Sequence, residues 1–388
     1  MRKIGDAKKR PLKIVMAGGG TGGHLFPALA LAAEFKRMDT GIAITFAGAK
    51  GGLEEKIVPG MGYPLRLLDV EGIKRKSGLI KVRALAKAAR SSIEAIGMLR
   101  EIRPDGVIGC GSYSSAPVVA AARLLGIKTA ILEQNALPGL TNKLLGKTVN
   151  RIYISFEEAR SHFPGGRAIL TGNPVRRDIL EGDPGLKHTG AGFEGRKEKF
   201  TVLVFGGSQG AIAVNAAFLD ATEYLTDLWN GLRVIHQTGA EGIENVKAAY
   251  RRKNLKAETH VFISDMAAAY AGADLVVCRA GATSIAEITA LGLASVLIPY
   301  PFAADDHQTV NAECLASKGA AVMIAQDKLT GGSLATVIRK FYSSPKELKA
   351  MRVMSKAMGR PKAAEEIAEN FLKLIAGRNG GRSSGLEH

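Results

Sequence analysis

Gly18-Gly19-Gly20-Thr21-Gly22-Gly23-His24 sets five glycines beside one imidazole, a combination suited to holding an oxyanion and moving a proton next to it. Glycine lets backbone amides approach a phosphate closely and adopt positive φ. His24 exchanges a proton near neutral pH. A turn that only packs a helix on a sheet needs fewer glycines than these. Gly18, Gly20 and Gly23 also match the Gly-x-Gly-x-x-Gly pattern of dinucleotide sites, whose usual companion is an acid at the end of the next strand. That strand, Ile42–Phe46, runs into Ala47-Gly48-Ala49-Lys50, so the ribose-binding acid of an NAD enzyme is missing.

Further stretches carry related chemistry. Gly206-Gly207-Ser208-Gln209-Gly210-Ala211 is a second glycine-rich turn, and Arg279-Ala280-Gly281-Ala282-Thr283-Ser284-Ile285-Ala286-Glu287 a third junction of this kind. Thr283 and Ser284 suit helix capping and phosphate. Glu287, one turn further, either accepts both hydroxyls of a ribose diol or simply complements the helix dipole. Gln308, in the polar stretch from Pro301 to Ala312, can exchange hydrogen bonds with a sugar. Arg176 offers a bidentate fork for phosphate. There is no Asp-x-Asp metal clamp and no Gly-x-x-x-x-Gly-Lys-Ser/Thr loop. A leaving diphosphate would therefore rely on helix N-termini and arginine.

Strand-to-helix turns position these groups. Leu12–Ala17 reads as a buried strand, and Leu25–Phe35 as a helix with Pro27 tolerable in its first turn. Strand and helix patterns then alternate to Leu170. Thr201–Phe205 with its glycine turn begins the same architecture again. The fold class expected is α/β, with two Rossmann-like, doubly wound parallel sheets facing across a cleft. We place the first domain at 1–173, joined by a C-terminal helix at about 362–377, and the second at 174–361.

At 388 residues the chain has room for two cores. Cys110, Cys278 and Cys314 are odd in number and widely spaced, which argues against a disulfide framework or a zinc site and fits a reducing cytoplasm. The uncharged runs Gly106–Ala122 and Ile288–Ala304 are shorter than the roughly 20 residues of a spanning helix. No secretory signal is visible, and Leu386-Glu387-His388 reads as the stub of an expression tag. A net charge of +17 implies acidic partners: phosphorylated substrates, an anionic membrane or nucleic acid. With 6% aromatics and no nucleic-acid module, nucleic acid ranks lowest. Between Gly72 and Arg103, nine Lys and Arg stand against Glu94 and Glu101, interleaved with Leu79, Ile80, Val82 and Leu85. This is either the solvated face of an amphipathic helix or a surface resting on anionic lipid.

Six motifs occur in one order: Gly19–His24 with Pro27; Glu133-Gln134-Asn135 with Pro138–Asn142; Gly172-Asn173-Pro174-Val175-Arg176; Gly206–Ala211; Arg279–Ala282; and His307-Gln308 with Asn311-Ala312. In these the chain resembles the bacterial N-acetylglucosaminyltransferases of peptidoglycan synthesis, which convert lipid I to lipid II, from about Lys13 to Ile375. The resemblance implies a GT-B fold and inverting, metal-independent transfer with no cofactor. The donor implied is UDP-N-acetylglucosamine, and the acceptor the 4-hydroxyl of undecaprenyl-diphospho-N-acetylmuramoyl-pentapeptide. His24 is read as the general base for that hydroxyl, since a helix N-terminus disfavours imidazolium, or else as a group that binds the acceptor diphosphate or orders the loop. Arg176 and Ser208 would meet the donor diphosphate, and Ile263 the uracil through its backbone. Ala282, Thr283, Ser284, Ile285, Ala286 and Glu287 would meet diphosphate and ribose, and Gln308 the sugar. Thr21, Gly22, Gly23 and Asn135 would close the donor site from the first domain. Gly20, Gly111, Tyr113 and Glu133 would serve the acceptor. The family's second loop usually reads Gly-Phe-Gly-Gly-Tyr; here it is Gly109-Cys110-Gly111-Ser112-Tyr113. The surface around Lys74–Arg83 would face the inner leaflet, placing the enzyme peripherally on the cytoplasmic side of the plasma membrane, within reach of other cell-wall synthesis proteins that serve cell shape and division. Two rivals are a UDP-N-acetylglucosamine 2-epimerase, which shares the two-domain fold, and a non-catalytic sugar-nucleotide sensor.

Overall fold

The structure is a computed structural model that describes residues 10–70, 79–182, 199–207 and 210–377, and of residues 79–89 the backbone only. In the first half, strands β1 (Lys13–Ala17), β2 (Ala43–Ala49), β3 (Leu65–Leu68), β4 (Gly106–Gly109), β5 (Lys128–Glu133), β6 (Arg151–Ile154) and β7 (Ala168–Leu170) alternate with helices α1 (Gly22–Met38), α2 (Glu54–Ile57), α3 (Leu79–Ile102), α4 (Ser115–Leu124) and α5 (Leu140–Leu145). They form one parallel sheet in the order β3-β2-β1-β4-β5-β6-β7. Ile14, Met16 and Ile44 point to one face, Val15, Ala17 and Val107 to the other, and both faces are buried. That explains why these strands read as apolar runs rather than alternations.

The second half opens with α6 (Arg177–Glu181). It continues with β8 (Phe200–Phe205), α7 (Ile212–Ala221), β9 (Leu232–Gln237), α8 (Ile243–Arg252), β10 (Glu258–His260), α9 (Met266–Gly272) and β11 (Leu275–Arg279). It closes with α10 (Ala282–Leu291), β12 (Ala294–Ile298), α11 (His307–Ala316), β13 (Val322–Met323), α12 (Gly331–Ser343), α13 (Pro345–Met358) and α14 (Ala363–Ala376). The strands again pair in parallel, in the order β10-β9-β8-β11-β12-β13.

Two crossings join the halves. After β7 the chain leaves the first sheet, and by Val175 and Ile179 it is packed in the second domain's core. After α13 it returns, and α14 buries Ile367, Ala368, Phe371 and Ile375 with Ile14, Met16 and Phe35 of the first domain. The Phe35 and Phe371 rings meet edge-on with centroids 6.3 Å apart, and the Tyr153 hydroxyl donates to Asn370 Oδ1 at 2.9 Å. In both sheets the carboxyl ends of the strands carry the glycine turns, so those turns line the cleft between domains.

Candidate active site

The first glycine turn lies between β1 and α1. Thr21 caps α1 in extended backbone, and His24 N and Leu25 N both return to Thr21 O. The amides of Gly22 and Gly23 therefore begin the helix with no partner within it, at the positive end of its dipole. Thr21 and Gly23 are exposed and Gly22 half-buried.

His24 sits one turn in, against the second loop of the same domain. Gly111 has φ +94°, and a Cβ there would lie 2.5 Å from His24 Nδ1. Only glycine fits against the ring. The Gln134 amide is aimed by its Nε2, which donates to Cys110 O at 2.8 Å. Gln134 Oε1 and His24 Nδ1 are both buried without a partner of good geometry. Burial lowers the His24 pKa, His307 across the cleft adds to the lowering, and Gln134 and the Cys110 carbonyl oppose it. The result is a neutral imidazole at physiological pH. With its proton on Nδ1, toward Gln134 and the Cys110 carbonyl, the Nε2 lone pair is free to act as a base.

The second domain approaches this turn with the N-terminus of α10. Thr283 Oγ1 donates to Gly23 O at 3.2 Å, across the interface. Gly281 caps α10 without a side-chain bond, which leaves the amides of Ala282, Thr283 and Ser284 as the unpaired first turn. Two helix N-termini thus converge on one place. Their like-signed dipole ends make that place attractive to anions.

Arg176 closes the ring. Its guanidinium lies 5.4 Å from the centroid of Phe26 on α1, and its Nε is buried and unpartnered. Arg176 also acts on Glu287, whose carboxyl burial pushes up to about 7 against the pull of a Tyr270 hydrogen bond and of Arg176. Tyr270 Oη donates to Glu287 Oε2 at 2.9 Å, which fixes the carboxyl. Asn311 bolts the domains together. Its Oδ1 accepts from Ala136 N at 2.9 Å, and its Nδ2 donates to Asn135 Oδ1 at 3.1 Å and to Ala280 O at 3.3 Å. Asn135 is thus held at the interface. Gln308 Oε1 accepts from Tyr300 N at 3.0 Å, while its Nε2 stays available. Asp305 and Asp306, just before it, both take positive φ, +55° and +54°. Such backbone costs an ordinary residue about 1–2 kcal/mol and gathers where a loop must hold an unusual shape.

Four expectations change. Glu133, expected at the acceptor, is 2% exposed and turned inward: it accepts from Asn135 N at 3.0 Å, Asn142 Nδ2 at 2.9 Å and Gly139 N at 3.3 Å. Its task is to shape the loop that presents Asn135. Ile285 is 3% exposed within the second core and its amide is bonded to Gly281 O, so it offers the donor neither side chain nor N–H. Ala286 packs on the same core. The free amides are those one to three residues earlier. Ile263 N, expected at the uracil, already donates to Gln237 Oε1 at 2.7 Å, while Gln237 Nε2 donates to Gly207 O at 2.9 Å. Without a shift of Gln237, only the Ile263 carbonyl is open to a base. Ser208 and the basic surface around Lys74–Arg83 lie outside the described residues or side chains. Tyr113 is half-exposed beside the first turn, after Ser112, which takes φ +64° where the family pattern has glycine.

Glu54, Gln134, Gln237, Tyr270 and Asn311 were not singled out from sequence. Gln134 and Asn311 stand inside quoted motifs, and that was the available signal. Glu54 follows Gly51-Gly52 in an ordinary helix start and gave none. Among the described residues no group of three or more His, Cys, Asp or Glu side chains is placed to hold a metal ion.

Two family models match the chain: the glycosyltransferase family 28 N-terminal domain over residues 14–154 and its C-terminal domain over residues 201–367. A relative from Syntrophus aciditrophicus (strain SB) is 47% identical over 364 residues, 94% of this chain and 99% of its own length. One from Myxococcus xanthus (strain DK1622) is 46% identical over 379 residues, 97% of each chain. Both are named UDP-N-acetylglucosamine–N-acetylmuramyl-(pentapeptide) pyrophosphoryl-undecaprenol N-acetylglucosamine transferase. Among solved structures, Acinetobacter baumannii MurG matches with TM-score 0.76 at 30% identity, covering 94% of this chain and all of that one. The Neisseria meningitidis UDP-GlcNAc 2-epimerase matches at TM-score 0.66 and 12% identity, over 93% of this chain and 99% of that one, which is a likeness of fold alone.

Proposed function

The chain belongs to glycosyltransferase family 28, and on that basis we propose that it transfers N-acetylglucosamine from UDP-N-acetylglucosamine to the 4-hydroxyl of lipid I, making lipid II for peptidoglycan. The observation that carries the mechanism is the convergence of two helix N-termini, joined by the Thr283–Gly23 hydrogen bond, on one interdomain site bordered by Arg176 and a neutral His24. The donor diphosphate lies against the first turn of α10 and Arg176, and these groups stabilise it as it leaves. Glu287 receives the ribose hydroxyls and Gln308 Nε2 the sugar. We reassign Thr21, Gly22 and Gly23, which the resemblance placed at the donor, to the acceptor diphosphate, because the donor diphosphate already has the first turn of α10 and Arg176. His24 Nε2 takes the proton of the attacking hydroxyl, which adds to the anomeric carbon from the face opposite the departing UDP and so inverts it. Stabilisation of the leaving diphosphate by helix dipoles and Arg176 fills the part a metal ion would otherwise play, and this supports a metal-independent transfer.

A lipid-linked acceptor requires the first domain to sit at the membrane. No helix among the described residues is long and apolar enough to cross it. Exposed Leu140 and Leu144 on α5, with Lys143 and Lys147 nearby, combine apolar and cationic groups in the way a peripheral contact with anionic lipid uses. This supports a place on the cytoplasmic face, where the nucleotide donor is available.

The test is transfer of radiolabelled N-acetylglucosamine from its UDP form to a short-chain lipid I analogue, with EDTA present. Labelled disaccharide lipid is expected from the wild type. Consumption of UDP-N-acetylglucosamine without acceptor would favour an epimerase, and binding without turnover a sensor. Glu287 adds a pH dependence. A ribose diol donates to the ionised carboxylate, and the free carboxyl titrates at about 7. Affinity for UDP-N-acetylglucosamine, whose doubly esterified diphosphate does not titrate in this range, should therefore be full above pH 8 and fall toward acid, by about tenfold per pH unit at the limit of one linked proton. In Glu287→Gln it should be weaker and without the step set by this carboxyl. Calorimetric titration of UDP-N-acetylglucosamine from pH 5.5 to 8.5 decides this, and an equally sloped variant would remove Glu287 from the ribose site.

A further inference from the structure

Glu54 is a buried acid that the transfer described above does not use. It is 0% exposed, at the start of α2. Its Oε2 accepts from Gly20 N at 2.6 Å and its Oε1 from Ala49 N at 2.8 Å. Ala49 ends β2. The acid absent from the end of this strand is thus supplied five residues later, by a side chain that folds back. It faces inward, onto the glycine turn, rather than outward to a ribose.

Three glycines make room for it. A Cβ on Gly19 or Gly48 would come within 2.5 Å of the Glu54 side chain, and one on Gly52 within 2.4 Å. The carboxylate is therefore enclosed by backbone, and each oxygen meets one amide. In dinucleotide-binding sheets this crevice, between the first glycine turn and the end of the second strand, takes the ligand's phosphate and ribose. Here a fixed negative group fills it. A nucleotide diphosphate brought to the same amides would meet that charge at close range, with no solvent between them to screen it. The amides left free are further out, at Gly22 and Gly23, next to His24.

We propose that Glu54 is a positioning residue for the acceptor side of the site, an internal anion that occupies the nucleotide crevice of the first domain and fixes the turn from Gly20 to His24. This rests on the reading that the first domain receives the lipid acceptor. Glu54 touches no reacting atom and acts through Gly20. The donor side, built from the second domain, does not depend on it.

Glu54→Gln keeps the shape but leaves one acceptor oxygen, so either Gly20 N or Ala49 N faces an amide NH₂. An unpaired buried amide of this kind is worth roughly 10-fold or more in an equilibrium that depends on the turn. The experiment is steady-state transfer to the short-chain lipid I analogue by wild type, Glu54→Gln and Glu54→Asp, with UDP affinity and thermal melting as controls on folding. The expected result is an acceptor KM raised about 10-fold in Glu54→Gln, with the KM for UDP-N-acetylglucosamine within about twofold of wild type and partial recovery in Glu54→Asp, which keeps both oxygens. An unchanged acceptor KM would overturn the proposal. So would an equal loss on both substrates in proportion to a lowered melting temperature, which would make Glu54 a stability residue only. Failure of the wild type to transfer to lipid I would refute the transferase reading itself, a different outcome from a normal wild type with an indifferent variant.

Discussion

Replacing His24 with alanine is expected to lower kcat by about 10²–10⁴-fold while leaving UDP binding close to wild type, the range that loss of a general base produces. The reason is geometric. His24 belongs to the first domain, and its Nδ1 is enclosed by Gly111, Gln134 and the Cys110 carbonyl, so the ring has one orientation and one free nitrogen. The donor is held by the second domain. Removing the imidazole therefore removes a proton acceptor without disturbing the diphosphate site. The sign of the pH effect follows from burial. A pKa lowered from 6.5 keeps the ring neutral to below that pH, so kcat/KM should stay flat from pH 8 to below 6.5 and fall only in more acid solution. Single-turnover transfer across pH 5–9, for wild type and His24→Ala, measures both effects. A variant within about threefold of wild type would leave His24 as a ligand or a packing group and not the base. Gly111→Ala provides an independent check, because its methyl would occupy the space of the His24 ring and should lower turnover with the histidine still present.

Phe371→Ala should destabilise the first domain by about 3–5 kcal/mol, the usual result of removing a fully buried aromatic ring. Phe371 is near the end of the chain but sits among Ile14, Met16, Phe35 and Ile375, and its ring is 2.6 Å from where a Cβ on Gly106 would be. Gly106 is thus the residue that lets the C-terminal helix lie against β4. For a domain of this size the loss corresponds to a fall in its melting temperature of about 10 °C. Calorimetry should show the two domains separating: the first transition moves down, while the transition that UDP stabilises stays in place. Acceptor turnover should then be lost on mild heating before UDP binding is. A shift of one or two degrees would mean that α14 only rests on the first domain and is not part of its core.

These effects divide according to what is local in the chain. A strand, a glycine-rich turn and a helix start are contiguous, so the anion-ready turns at Gly18–His24 and Gly281–Glu287, and His24 beside the first of them, are legible from residue order. The alternation of apolar runs and amphipathic stretches likewise specifies parallel, doubly wound sheets, because each element must bury its own apolar face. Six ordered motifs were enough to indicate the family. What could not be read is which polar group faces which. Glu133 has the residue type and motif of a ligand group, but donors from the loop that follows it and from Asn142 at the start of α5 claim its carboxylate. Ile263 lost its free amide to Gln237, 26 residues away, and Glu54 reached back 34 residues to Gly20. The bolt made by Asn311 spans 175 residues, and the link from Thr283 to Gly23 spans 260. Buried polar atoms must find partners wherever the packed chain places them, and nothing in local spacing reveals that choice. The sequence by itself determined the kind of fold, the turns able to hold phosphate and the imidazole beside one of them. Only the tertiary structure decided which amides stay open, which carboxylates are spent inside the protein and how two helix N-termini come to face one site, because each of these depends on contacts between segments far apart in the chain.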